Sequence, residues 1–461
     1  MKTNVILNAD SYKASHFLQY PDRTTYVSSY IESRGGNFEN SVFFGLQMYL
    51  QDYLTKPVTH ADVDLAKDIF AAHGVPFNEK GWRYIVDKHN GYLPIEIEAV
   101  PEGSVLPTRN VLVQVMNTDP ECAWLTSYVE TALLRAVWYP TTVATLSWHC
   151  RQVIKRYLDE TADSSDGLPF KLHDFGARGA TSEEAAAIGG AAHLVNFMGT
   201  DTLSGVMAAR QYYGAEMAGF SIPAAEHSTI TSWGKAYEVD AYRNMLEQFA
   251  KPGKIVAVVS DSYDIWNAID NLWGEALKQQ VENSGGTLVV RPDSGDPVTI
   301  VTETIERLMR VFGYRVNDKG YRVLPDFIRV IQGDGVSLNM IEGILETMKT
   351  RKQSADNIAF GMGAELLQKV NRDTMKFAMK ASAACIEGLW MDVYKDPVTD
   401  SGKRSKKGRL ALIRRQDGTF NTVRVQDLCG RENLLEPVFR NGEILRTQTF
   451  DDVRARALGD S

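Results

Sequence analysis

The segment VVRPDSGDP (289–297) carries an apolar run into Arg291, Asp293 and Asp296 and then into Pro297. Part of this is ordinary architecture, because an aspartate just before a proline suits a helix N-cap with proline in the first turn. That accounts for Asp296. It leaves Arg291 and Asp293 as candidates for chemistry, since charges at the end of an apolar strand do not belong to a core. Six further segments repeat the arrangement: HDFGARG (173–179), MGTDT (198–202), PAAEHST (223–229), SDSYD (260–264), QGDG (332–335) and GMGAE (361–365). Together they offer carboxylates for hydroxyls and Mg2+, arginines for phosphates, glycines that admit a close backbone, and Phe175 and Tyr263 for a planar ring. That chemistry fits an enzyme acting on a phosphorylated sugar together with a heteroaromatic base.

Several of these residues also have plainer explanations. Asp334, between Gly333 and Gly335, fits an Asp-Gly turn, although the same glycines let a sugar or phosphate come close. A lone histidine is more often structural than catalytic. His227 follows Glu226 at a strand end, has no histidine partner at zinc spacing, and gains an acid-base or nucleophilic role if a carboxylate such as Asp261 orients it. Thr181 and Glu184 have the spacing of a capping box, a structural feature that sets Arg178 just ahead of a helix. The basic run KRSKKGR (403–409) is either a solvated loop or a lid over a polyphosphate. Neither a Walker A loop nor a G-x-G-x-x-G fingerprint is present.

The elements that must position these groups alternate. Apolar runs at Phe170–Leu172, Leu194–Phe197, Phe220–Ile222, Ile255–Val259, Leu288–Val290, Ile328–Ile331 and Ile358–Phe360 are separated by helical patterns such as Ile300, Val301, Ile305, Leu308 and Met309. Such alternation predicts a parallel sheet with crossover helices. Seven strands suit an irregular TIM-like α/β barrel, whose C-terminal strand ends share one ligand-binding face. The barrel is placed at 166–380. The flanks, 1–165 and 381–461, are read as one discontinuous α+β domain, with helices near Phe44–Leu54 and Trp124–Trp138 and strands in RLALIRR and FNTVRV.

At 461 residues the chain is too long for one small core, and its 44% hydrophobic and 23% charged residues are ordinary for a globular protein. A net charge of −8 argues against nucleic acid or an acidic membrane held by bulk attraction. The four scattered cysteines build no disulfide framework or thiolate metal site, and no signal peptide or membrane span is legible, so a cytoplasmic protein is expected.

Taken together, HDFGARG, VNFMGTDT, SIPAAEHSTITSWG, VVSDSYDIWN, VVRPDSGDP, IQGDGV, LLQKVNRD, KDPVTDSGKRSKKGRL and the N-terminal LNADSYKASHFLQYP resemble the nicotinamide phosphoribosyltransferases, of the type II phosphoribosyltransferase family. The likeness runs in order over nearly the whole chain. It implies transfer of phosphoribosyl from phosphoribosyl pyrophosphate to nicotinamide in NAD salvage, with ATP as energy-coupling co-substrate, Mg2+, and a homodimer with active sites at its interface. It further implies that Phe175 and the partner's Tyr12 sandwich the nicotinamide, that Asp201 accepts from the carboxamide, and that Arg291 reaches the base carbonyl. Asp293 and Asp334 would handle the ribose and its Mg2+-bound pyrophosphate, with Asp10 and Gly333 lining the substrate. Gly363 and Ala364 would hold the 5′-phosphate, and Arg34, Arg178, Arg372, Lys380 and Lys403 the remaining phosphate contacts. His227 takes the place of the phosphorylated histidine, oriented by Asp261 and assisted by Glu226. Ala177, Ala257 and Ala364 depart from the common animal pattern, where an aromatic, a serine and a glycine are usual. The nearest alternative is a nicotinate phosphoribosyltransferase, against which Asp201 weighs. More distant ones are a phosphosugar hydrolase or isomerase and a non-catalytic protein of the same fold.

Overall fold

The middle region forms six parallel strands, in the order Gly199–Thr200, Leu172–Asp174, Ile358–Met362, Ile328–Gln332, Thr287–Arg291 and Ile255–Val259. Thr287–Arg291 and Ile255–Val259, mostly buried, read as near-continuous valine, isoleucine and leucine rather than as an alternation. This computed structural model describes residues 4–399 and 404–459. Lys403 lies outside the described residues.

The chain divides into two units: Met1–Thr145 with Gln211–Ala215 and Asn371–Ser461, and Leu146–Arg210 with Glu216–Val370. The sequence reading places the boundaries at 165/166 and 380/381. The second unit holds the parallel sheet. Three of its expected strands differ. Phe170–Leu172 is shifted, because Leu168–Phe170 forms a 3-10 turn and the strand runs from Leu172 to Asp174. Leu194–Phe197 is not a strand but the end of the helix Glu183–Leu194 and the turn after it, and the strand comes later, at Gly199–Thr200. Phe220–Ile222 forms no strand; Phe220 makes one parallel bridge to Gly199, and Ala224 one to Ala257. The segment 220–224 therefore touches both edge strands of the sheet. Alternate residues Ala257, Val289 and Ile331 form a small apolar cluster, with Phe175, Ile222 and Ala359 packed against it.

The crossover helices form where the apolar spacing predicts them. In Pro297–Phe312 the residues Ile300, Val301, Ile305, Leu308 and Met309 are all buried, and Gly313 at φ 82° ends the helix. Asp296 is its N-cap, with Oδ2 accepting from the Thr299 N–H at 2.9 Å. The capping box expected at Thr181–Glu184 gives way to a simple N-cap one residue on, where the third helical residue is Ala185 and has no acceptor to complete a box. Ser182 caps the Ala185 N–H at 3.1 Å, and the Thr181 hydroxyl bonds Gln368 instead.

The first unit is built on a seven-stranded antiparallel sheet, in the order Leu389–Asp392, Phe377–Ile386, Thr24–Ser33, Val111–Asn117, Ile95–Ala99, Glu436–Arg440 and Glu443–Ile444. The tail strands pair as a hairpin, Leu410–Arg414 with Phe420–Arg424. The helix expected to stop near Trp138 instead runs from Glu130 to Thr161, with Pro140 inside it. Gly45, at φ 102°, makes room for that proline, because a Cβ there would lie 2.4 Å from the ring. Among the described residues no helix is long and apolar enough to cross a membrane. All four cysteines are free.

Candidate active site

Each strand of a parallel sheet releases its C-terminal residues on one side. In the second unit that side gathers Phe175, Arg178, Asp201, Glu226, His227, Asp261, Arg291, Asp293, Gly333, Asp334, Gly363 and Ala364. Asp10, Tyr12, Arg34, Arg372 and Lys380 belong to the first unit.

Phe175 leaves the strand Leu172–Asp174 with its N–H bonded to the Met362 carbonyl at 2.9 Å. Its ring depends on two glycines. A Cβ at Gly361 would fall 1.9 Å from Phe175 Cε2, and one at Gly333 would fall 3.2 Å from the same atom. The Arg291 guanidinium lies over the ring, 5.7 Å from its centroid, a cation–π arrangement. Arg291 and Asp293, two apart on the strand exit, hold one another. Nη2 donates to both carboxylate oxygens at 2.8 Å, and Nε donates to Oδ1 at 3.1 Å.

Asp261 joins the next two segments. Its Oδ1 lies 2.9 Å from His227 Nε2, and its Oδ2 accepts from the Asp293 N–H at 3.1 Å and the Ser294 hydroxyl at 2.5 Å. His227 therefore uses Nε2 on Asp261, and its Nδ1 sits 3.9 Å from Asp293 Oδ2. His227 opens the short helix His227–Thr231, and the Glu226 carboxylate before it accepts from the Ser228 hydroxyl.

Asp201 is held from two sides. Its backbone N–H donates to the Asp174 carbonyl at 3.0 Å. Its Oδ1 takes the Ser221 hydroxyl and lies 3.1 Å from His173 Nε2. Burial pushes the Asp201 carboxyl up, but the contacts with His173 and Ser221 and the nearby Arg178 outweigh it, so it ionises below its ordinary value. Asp334 and Arg178 are exposed at their strand ends. Gly363 precedes the short helix Ala364–Leu367, and a Cβ at Gly179 would fall 2.8 Å from that of Ala364.

In the first unit, Asp10 Oδ2 accepts from the Thr131 hydroxyl at 2.7 Å, and Tyr12 is 58% exposed with its ring edge-on to His16. Arg34 Nε and Nη2 are buried without a hydrogen-bond partner among the described residues, with Glu32 Oε1 3.6 Å from Nε. Burial pulls the Lys380 amine below its ordinary value; Glu130 opposes this, and Arg34, Lys13 and Arg372 add repulsion. A concentration of positive charge of this kind suits an anion.

Sequence reasoning passes over His173, Ser221 and Ser294. His173 carries a usable signal: it stands two residues before Phe175 on a strand, hence on the same face. Ser221 and Ser294 carry none, because a serine in a polar turn is commonplace.

Residues 170–443 match the model of the nicotinate phosphoribosyltransferase (NAPRTase) family, and residues 4–97 match the N-terminal domain of nicotinamide phosphoribosyltransferase. The chain is 56% identical to the nicotinamide phosphoribosyltransferase of Xanthomonas campestris pv. campestris over 98% of both chains. It is 33% identical to the enzyme of that name from Acinetobacter baylyi, over 98% of this chain and 96% of the other. Among solved structures, nicotinate-nucleotide pyrophosphorylase from Pyrococcus furiosus superposes with a TM-score of 0.63 at 17% identity, covering 99% of this chain and 95% of that one. Human nicotinic acid phosphoribosyltransferase gives 0.55 at 16%, covering 97% and 92%. At such identities the fold is what is shared.

Proposed function

The chain belongs to the nicotinate phosphoribosyltransferase family, and we infer that it is a member whose base is nicotinamide. It is a pentosyltransferase that joins nicotinamide to phosphoribosyl pyrophosphate, giving nicotinamide mononucleotide and pyrophosphate. The observation that carries the choice of base is the Asp201 carboxylate. It is kept ionised, with one oxygen engaged by His173 and Ser221, so it accepts from an amide NH2 and repels the carboxylate of nicotinate.

The remaining roles follow from chemistry and position. Phe175 stacks on the base, and Arg291 beside it reaches the base carbonyl once it exchanges Asp293 for substrate. The ring nitrogen attacks C1′ as the bond to pyrophosphate breaks. The sugar passes through an oxocarbenium-like state, so stabilisation by carboxylates outweighs nucleophilic help from the protein. Asp293 and Asp334 face the ribose and its pyrophosphate. Among the described residues no three His, Cys, Asp or Glu gather as a metal cage. The strand-end carboxylates are hard oxygen donors that would suit a magnesium ion arriving on the pyrophosphate, with Asp293 the side chain to reach it. Such an ion shields the charge of the leaving group. Within the second unit Gly363, Ala364 and Arg178 take phosphate oxygens. Arg34, Arg372 and Lys380 form a cationic group of the first unit that suits an anion of its own accord.

His227 accepts the γ-phosphoryl group of ATP on Nδ1, since Nε2 is committed to Asp261. ADP leaves, and later hydrolysis of the phosphohistidine biases the reaction toward synthesis; Glu226 assists. Tyr12, more than half exposed, suits a homodimer in which the partner's Tyr12 covers the second face of the base. The segment 220–224, bridged to both edge strands, supports an irregular barrel. The free cysteines suit the cytoplasm.

The decisive experiment offers nicotinamide and nicotinate in competition, with phosphoribosyl pyrophosphate and Mg2+, with and without ATP. Nicotinamide mononucleotide as main product, increased by ATP, is expected. Nicotinate mononucleotide would overturn the role of Asp201, and no increase with ATP would overturn that of His227.

A further inference from the structure

We propose that His173 is a positioning residue for base selection, which fixes Asp201 so that one carboxylate oxygen stays committed to the protein and the other remains for the carboxamide. The proposal rests on the reading of Asp201 as the group that meets the base.

His173 and Asp201 are joined through the sheet rather than through a loop. His173 pairs in register with Gly199, and Asp174 pairs with Thr200, the residue just before Asp201. The Asp174 carbonyl accepts the Asp201 N–H at 3.0 Å. Two successive residues of one strand, His173 and Asp174, thus hold the side chain and the backbone of Asp201 respectively. The His173 side chain is only 14% exposed while Asp201 is 51% exposed, so the buried partner sets the geometry of the open one. The imidazole is itself confined. Its ring lies 5.0 Å from the Phe175 ring, and a Cβ at Gly199 would come 2.8 Å from Nδ1. Glycine at 199 therefore gives the ring its seat.

The pattern of contacts is one-sided. His173 Nε2 and the Ser221 hydroxyl both meet Oδ1, and no hydrogen bond from the described residues reaches Oδ2. With Oδ1 as acceptor, Nε2 is the nitrogen that carries the hydrogen. A carboxylate turned freely by rotation about χ2 presents either oxygen, whereas a doubly held Oδ1 leaves only Oδ2 to accept from an NH2 group. The same two donors stabilise the charged form, which is the form that repels an acid. His173 acts on substrate choice through Asp201.

The test compares kcat and KM for nicotinamide and nicotinate in the intact protein and in His173→Leu, His173→Gln and Asp201→Ser. Loss of a hydrogen bond to a charged group predicts that His173→Leu lowers the preference for amide over acid by about ten- to a hundredfold, mainly through KM for nicotinamide. Glutamine brings an N–H to the place of Nε2, so His173→Gln keeps the preference within about threefold of the original. Should the leucine variant fail to fold, His173→Phe keeps a flat ring against Phe175 without the donor and carries the same expectation. An unchanged preference in His173→Leu or His173→Phe, with a loss in Asp201→Ser, overturns the positioning role and leaves the Asp201 reading standing. No loss in Asp201→Ser overturns the Asp201 reading, and this proposal with it. Equal loss in the leucine and glutamine variants shows that the ring matters for its shape rather than its N–H, which also overturns the proposal.

Discussion

Asp174→Asn removes a carboxyl group whose charge works against the fold beside the base-reading residues. Asp174 is 0% exposed, and its Oδ1 accepts from the Gly176 N–H at 2.7 Å. Burial is the largest influence and raises its pKa from 3.8 to about 6, against the opposing effects of the Gly176 N–H, the Thr202 hydroxyl and the nearby His173. Because the folded value lies above the unfolded one, the unfolded chain releases this proton first as pH rises. The contribution of the group to stability is full below about pH 3.8 and is lost as pH climbs through about 6. A gap of about two pH units corresponds to roughly 3 kcal/mol. Asparagine keeps the carbonyl acceptor for Gly176 and cannot ionise. Relative to the original protein, the variant should therefore gain roughly 3 kcal/mol between about pH 4 and about pH 7, since every other titrating group is common to both. With two units in the chain a single two-state transition is not assumed, so the measurement is amide hydrogen exchange in the neighbouring strand Ile358–Met362. A difference between the two proteins that stays flat with pH would refute the reasoning.

Gly361→Ala puts a methyl group where the Phe175 ring lies, 1.9 Å from Cε2, so the ring must shift. Overpacking of about 1–3 kcal/mol at the stacking ring predicts a roughly tenfold or greater rise in KM for nicotinamide, and an unchanged KM would show that Phe175 does not stack on the base. His227→Ala should abolish ATP hydrolysis while slow, uncoupled nucleotide synthesis remains; a phosphate-release assay that finds ATP turnover intact would assign the phosphoryl acceptor elsewhere.

The strand ends were legible because charge at the close of an apolar run does not belong to a core, and six of the seven clusters fall at the ends of strands of the second unit, while PAAEHST (223–229) follows a segment that makes only single bridges. The same rule misplaced Leu194–Phe197. Leu194, Val195 and Phe197 are fully buried, and a short apolar run is equally consistent with a buried strand and with the last turn of a buried helix. Helix caps were legible to within a residue: Asp296 is where it was expected, while Ser182 takes the place of its neighbour Thr181. Proline signals were less certain, because Pro140 is accommodated inside a helix whose neighbour Gly45 gives it space, a tertiary fact that no local pattern contains. The pairing of His173 with Asp201 joins residues 28 positions apart through strand register, which the sequence specifies only once the strands are aligned.

The charges that first marked VVRPDSGDP are explained by their mutual arrangement more than by their separate roles. Asp293 uses its side chain on Arg291 and its backbone N–H on Asp261, and Asp261 in turn holds His227. One strand exit therefore links the guanidinium over the Phe175 ring to the histidine proposed to carry phosphate. A phosphoryl group on Nδ1 would add negative charge beside Asp293 Oδ2, which stands 3.9 Å from that nitrogen. Like charges at that spacing repel, most strongly where water is partly excluded, and Asp293 is the partner that must yield because Asp261 is pinned by three donors. Any weakening of its hold on Arg291 frees the guanidinium for the base. On the proposed chemistry, the strand exit is the physical path by which the state of His227 is felt where nicotinamide binds, and it runs through the direct contacts of Arg291, Asp293, Asp261 and His227 within the second unit.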